Sequence, residues 1–126
     1  MENLKILIVE DDLTTCTLLK TTLDLEGYQT TFVHNIENDD VLSLLNDEKP
    51  KILFLDFYLG SQETLKHLTI IRNDPEWKDL PVLMTSAIDH SQACLEAGAN
   101  SFILKPFNWE EITNTVKEIC KQISNE

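Results

Sequence analysis

The chain has 126 residues, is 42% hydrophobic, and carries 22 acidic against 10 basic side chains, a formal net charge of −12. That length suits one compact domain, residues 1–126, around one core. The charge excludes direct nucleic-acid binding, because a phosphate backbone would be repelled, and favours divalent cations and basic partner surfaces. No apolar run is long enough to cross a bilayer, and the N-terminus lacks the pattern of a signal peptide. Cys16, Cys94 and Cys120 are too few and too far apart for a disulfide framework or a metal site. Reduced thiols in a cytoplasmic protein are the expectation.

In chain order, residues 4–9 form a short, β-branched apolar run that reads as a strand buried on both faces. Leu13, Cys16, Leu19 or Lys20, and Leu23 then recur at helical spacing, and Gly27 stands where a C-terminal cap belongs. Residues 28–33 alternate and are rich in β-formers, a second strand. Residues 35–47 carry Ile36, Val41, Leu42, Leu44 and Leu45, a second helix ending before Pro50.

Residues 52–55 make the third strand, and 62–73, with Leu65, Leu68 and Ile71 on one face, the third helix. Residues 81–85 are a fourth strand. Residues 89–97 are a short helix closed by Gly98, and 101–104 a fifth strand. Asn108 is placed to N-cap the last helix, whose expected core stripe is Trp109, Ile112, Val116, Ile119 and Ile123. Trp77 is expected to pack a loop, and His34, His67 and His90 to be solvated or loop residues, since they share no ligand spacing.

Five strands alternating with five helices predict an α/β fold, a parallel sheet covered on both faces. Ligands of such sheets bind outside the carboxyl ends of the strands. Glu10, Asp11 and Asp12 follow the first strand, Asp56 the third, Thr85, Ser86 and Ala87 the fourth, and Lys105-Pro106 the fifth. Singly, each is an ordinary turn or cap residue. Together they bring carboxylates, a hydroxyl and an ammonium to one edge. Clustered carboxylates stay ionised only beside a cation. Hard oxygen ligands suit Mg²⁺, which favours phosphate oxygens. A carboxylate is also a competent nucleophile for an aspartyl-phosphate, whose transition state a cation, a lysine and a hydroxyl would stabilise.

The motifs "ILIVEDD", "ILFLD", "PVLMTSA" and "AGANSFILKPF", in that order and spacing, resemble the receiver domain of bacterial two-component response regulators over nearly the whole chain. The resemblance implies a doubly wound (βα)5 flavodoxin-like fold with a five-stranded parallel sheet in the order 2-1-3-4-5. It implies that Asp56 is the phosphoacceptor, and that Mg²⁺ is held by Glu10, Asp11, Asp56 and the backbone carbonyl of Tyr58. Ser86 takes the position of the switch hydroxyl, ahead of Thr85, and Phe102 that of the aromatic switch. Lys105 matches the lysine that pairs with phosphoryl oxygen, and its bond to Pro106 is expected to be cis. The partners implied are a sensor histidine kinase or a histidine phosphotransfer protein. The domain is then a phosphorylated signalling module, not an enzyme, with an output face or homodimer contact on helix four, strand five and helix five.

The sequence departs from the pattern in three places. Leu59-Gly60 replaces Met-Pro after the phosphoacceptor, and Thr64 stands where a Gly is usual. The Ser86-to-Lys105 interval is shorter than usual by about one helical turn. Tyr58 and Ile88 put bulk at two positions that modulate water access in the family, from which slow autodephosphorylation is expected. Among rivals, a haloacid-dehalogenase-type phosphatase needs a second Asp where Tyr58 stands. A flavodoxin-like cofactor binder needs a Gly- and hydroxyl-bearing loop where Glu10-Asp11-Asp12 stands. A receiver-like interaction module not switched by phosphate is the remaining alternative.

Overall fold

A computed structural model describes residues 4–124. Its main sheet joins β1 (Lys5–Val9), β2 (Gln29–Val33), β3 (Ile52–Asp56), β6 (Val82–Ser86) and β7 (Ser101–Leu104). Two further strands, β4 (Tyr58–Leu59) and β5 (Gln62–Glu63), form a separate antiparallel hairpin. All pairings in the main sheet are parallel, in the order β2-β1-β3-β6-β7. With the hairpin counted apart, this is the expected 2-1-3-4-5 arrangement.

Successive residues of a strand face opposite sides, so a strand covered on both must be apolar throughout. Leu7, Val9, Leu53, Leu55, Val82 and Met84 face one core. Val41 and Leu45 of α2 (Val41–Glu48), Leu68 and Ile71 of α3 (Leu65–Arg72) and Cys94 of α4 (Ser91–Glu96) pack against them. Ile6, Ile8, Ile52, Phe54 and Leu83 face the other core. It is closed by Leu19 and Leu23 of α1 (Leu13–Leu25) and Ile112, Val116 and Ile119 of α5 (Trp109–Ser124). All three cysteines are free and buried.

Side chains cap the starts of α1 and α5. Asp12 accepts from the Thr15 amide at 2.9 Å to start α1, and Gly27, at φ 95°, supplies the left-handed turn after it. Asn108 accepts from the Glu111 amide at 2.9 Å while Glu111 accepts from the Asn108 amide at 3.3 Å, a reciprocal capping box.

Several expectations are corrected. The second helix does not begin at residue 35. Residues Glu37–Asp39 form a 3₁₀ turn with Asn38 and Asp39 at positive φ, and the helix starts after Asp40, which caps it through the Ser43 amide. Gln62 and Glu63 belong to the β4–β5 hairpin rather than to α3. Leu13 and Trp109, both expected on core stripes, are 60% and 59% exposed. Each is the first residue of its helix, where the apolar stripe has not yet come over the sheet. His67 is buried on α3 rather than solvated or in a loop, whereas His90 does lie in a loop, where it stacks on Phe57. Trp77 does pack as expected, against the core containing Leu80, with its indole N–H donated to Asn46 Oδ1 at 2.9 Å.

Candidate functional site

The carboxyl ends of β1, β3, β6 and β7 converge on an open cavity of about 240 Å³ lined by Glu10, Asp11, Asp56, Tyr58, Ser86 and Lys105, among others. Glu10 follows β1 directly and is held down by its own amide, which donates to Val33 O at 3.1 Å. Asp56 ends β3. Both side chains are buried, whereas Asp11 is exposed. Glu10, Asp11 and Asp56 each offer a carboxylate oxygen, and these oxygens lie within 4.8 Å of one another.

Lys105 follows β7, and its amide donates to Ser86 O at 2.9 Å. Its ammonium donates to Glu10 Oε1 at 2.7 Å and to Asp56 Oδ2 at 3.1 Å. One cation thus bridges two buried carboxylates. The Lys105–Pro106 peptide is cis, as expected. Burial pushes the Glu10 carboxyl up, Lys105 and the Asp12 amide pull it back, and Asp56 adds to the rise, leaving it at about 7. Burial works against the Lys105 charge, but the two carboxylates outweigh it, and its pKa lies above the ordinary lysine value.

Asp11 Oδ2 accepts from the Gly60 amide at 2.7 Å. Gly60 turns the β4–β5 hairpin at φ 62°, a conformation that suits glycine. This contact ties the hairpin to the end of β1. Ser86 Oγ lies at the cavity wall and accepts from the Ile88 amide at 3.2 Å. Thr85 is fully buried, its hydroxyl has no partner among the described residues, and it does not line the cavity. Phe102 stands away from the cavity wall: it pairs with Met84 in the sheet and is half-buried against the first core.

Two residues at the site escaped sequence reasoning. Thr64 is buried, and its hydroxyl donates to the carbonyl oxygens of Asp56 at 2.8 Å and Phe57 at 3.2 Å. The sequence marked it only as a residue out of place. His90 was expected only as a solvated or loop residue; it does lie in a loop, but its neighbours in space, Phe57 and Tyr58, lie more than thirty positions away in the chain.

Clustered hard oxygen donors beside an open cavity fit Mg²⁺, whose charge would offset the carboxylates gathered there. A parallel doubly wound sheet with an acidic cluster and a lysine at its carboxyl edge defines an α/β domain whose charged site lies at the strand ends. The chain belongs to the response regulator receiver domain family, which it matches over residues 6–117.

It is 28% identical over 123 residues to the phosphate regulon transcriptional regulatory protein PhoB of Klebsiella pneumoniae, covering 95% of this chain and 53% of that protein. The chain therefore spans about half the length of the curated relatives it matches. The crystal structure of a putative response regulator from Chloroflexus aurantiacus superposes with a TM-score of 0.84 at 30% identity, over 94% of this chain and 98% of that one. NtrX from Brucella abortus superposes with a TM-score of 0.80 at 26% identity, over 99% of this chain and 29% of that one. Among the described residues no helix is long and apolar enough to cross a membrane.

Proposed function

We propose that residues 1–126 act as one receiver domain, in the cytoplasm, and that Asp56 is its phosphoacceptor. The observation that carries this reading is the position of Asp56: a buried carboxylate, 3.1 Å from the Lys105 ammonium, in an acidic cluster at the carboxyl edge of the sheet. The donor is a phosphohistidine of a sensor kinase or phosphotransfer protein. A carboxylate oxygen of Asp56 attacks phosphorus as the P–N bond breaks, and the electron pair stays with the departing imidazole, which takes up a proton.

Lys105 pairs with a phosphoryl oxygen, and Ser86, at the cavity wall, donates its hydroxyl to another. Glu10, Asp11, Asp56 and the Tyr58 carbonyl would hold Mg²⁺, whose charge stabilises the negative charge spread over the transferring group. Phe102, on β7 beside Met84, is the aromatic side chain that reports the change. The signal leaves through α4, β7 and α5, where Leu95, Leu104 and Trp109 are exposed apolar side chains available to a partner or a second copy.

Incubation with Mg²⁺ and acetyl phosphate tests this reading. A hydroxylamine-labile phosphoryl group is expected on the wild type and none on Asp56→Asn. Bound beryllofluoride, standing in for the phosphoryl group, is expected to shift the Phe102 resonances. Labelling that survives in Asp56→Asn, or its absence from the wild type at saturating donor, overturns the proposal.

A further inference from the structure

The segment after Asp56 is fixed from an unexpected direction. Phe57 is buried, its amide donates to Thr85 O at 2.8 Å, and its carbonyl accepts from the Thr64 amide at 2.9 Å. Its backbone is therefore anchored to β6 and to the start of α3. The imidazole of His90 lies flat on the Phe57 ring, with centroids 3.9 Å apart and planes 10° apart. Tyr58 meets both rings edge-on, at 4.8 Å from Phe57 and 5.7 Å from His90. The Tyr58 hydroxyl lies 3.4 Å from His90 Nε2.

His90 is the residue immediately before α4, four positions beyond Ser86. The loop between them, with Ala87 and Ile88, forms one wall of the cavity, and Tyr58 stands in the same lining. The three rings therefore join the two loops that flank the site. No side-chain hydrogen bond caps α4 at His90. The imidazole is given to the aromatic stack instead of to the helix it precedes.

We propose that His90 is a positioning residue, a latch that holds the Tyr58 ring and the Ser86–His90 loop against each other at the mouth of the site. This rests on the reading of Asp56 as phosphoacceptor and extends it to how the bond is protected. Loss of the phosphoryl group is hydrolysis: a water oxygen attacks phosphorus, the bond from phosphorus to the Asp56 oxygen breaks, and inorganic phosphate and the free carboxylate remain. That water must enter through the mouth. A stack of aromatic faces restrains the ring and loop that stand there. Releasing them widens access and leaves the reacting groups in place.

The test compares phosphoryl lifetimes after acetyl phosphate labelling in wild type, His90→Ala, His90→Phe, Tyr58→Phe and the double variant His90→Phe/Tyr58→Phe. His90→Ala is expected to shorten the lifetime about fivefold, the scale of one aromatic contact, with the extent of labelling at saturating donor retained. His90→Phe keeps the stack and is expected to recover most of the lifetime. What it fails to recover, Tyr58→Phe should reproduce, and the double variant should add nothing further, as a cycle on one hydrogen bond requires.

Amide exchange of residues 86–90 in the unphosphorylated protein supplies a second readout, expected to speed up in His90→Ala. An unchanged lifetime and unchanged exchange in His90→Ala overturn the latch. If the wild type takes no phosphoryl group, the phosphoacceptor reading fails instead, and the latch as a loop restraint is decided by exchange alone.

Discussion

Thr64 donates its hydroxyl to the carbonyl oxygen of Asp56 at 2.8 Å, from a position buried to 1% exposure. A second contact from the same hydroxyl reaches the Phe57 carbonyl, and the Thr64 amide donates there as well. A glycine at this position could supply only the amide. Thr64→Val keeps the shape and removes the hydroxyl, so it is expected to destabilise the fold by about 1–3 kcal/mol, the cost of leaving buried acceptors short of a donor. Thr64→Ser should recover most of that loss. Urea unfolding of the three proteins measures both differences, and a valine variant as stable as wild type would remove Thr64 from any role in holding Asp56.

Glu10 and His67 titrate in neighbouring windows with opposite effects on stability. The Glu10 carboxyl sits at about 7 in the folded chain against an ordinary 4.5. Its contribution is fully present below 4.5 and is lost as pH rises through 7. Burial, and then the nearby Lys66 charge, lower the His67 pKa below its ordinary 6.5, against a smaller pull from Asp39. The unfolded chain therefore takes up that proton first, and stability falls as pH drops below 6.5. The two slopes partly cancel in the wild type. With chelator present, Glu10→Gln is expected to be more stable than wild type at pH 8 and to lose stability more steeply on going to pH 5. His67→Leu, which also removes a buried ring nitrogen that has no partner among the described residues, should instead gain stability toward acid. Chemical denaturation across pH 5–8 reads both slopes.

Lys105 is one ammonium shared by two carboxylates, with Asp11 close by. The cluster is overcharged, and Asp56 contributes to the upward shift of Glu10. Asp56→Asn removes one of the negative charges while its amide oxygen can still accept from Lys105. It should raise the melting temperature of the chelated protein, by about 1 kcal/mol in stability. The gain should be larger at pH 8, where Glu10 is ionised, than at pH 6. A thermal melt series at the two pH values gives the comparison. A destabilised Asp56→Asn would show that the bridge outweighs the repulsion.

The sheet was legible because its central strands are covered on both faces, so "KILIV", "ILFLD" and "VLMTS" read as nearly unbroken apolar runs whatever their neighbours. The residues just past those runs were legible for the same reason: a strand end fixes where its next residue goes. Helix starts were harder. Ile36 is buried and fits a helical stripe, yet Asn38 and Asp39 take positive φ and the helix begins only after Asp40. Trp109 fits the stripe of α5 by spacing, but spacing does not say where along the helix the core ends. Thr64 and His90 were opaque because their function lies in contacts across loops, which no periodicity encodes.

Tyr58 and Ile88 both line the cavity around Asp56, although Ile88 itself is 60% exposed. The Tyr58 ring is restrained by Phe57 and His90, whereas the Ile88 side chain is largely in solvent, so the two should differ in effect. Tyr58→Asn replaces a held aromatic ring by a small polar group able to hydrogen-bond an incoming water. It is expected to shorten the phosphoryl lifetime about tenfold, equivalent to ~1.4 kcal/mol in the hydrolysis barrier. Ile88→Glu should act more weakly, because an exposed side chain blocks less of the path it stands beside. Decay of the labelled protein after removal of acetyl phosphate gives both rates. Lifetimes unchanged in both variants would mean that side-chain bulk at the cavity mouth does not govern water access to Asp56.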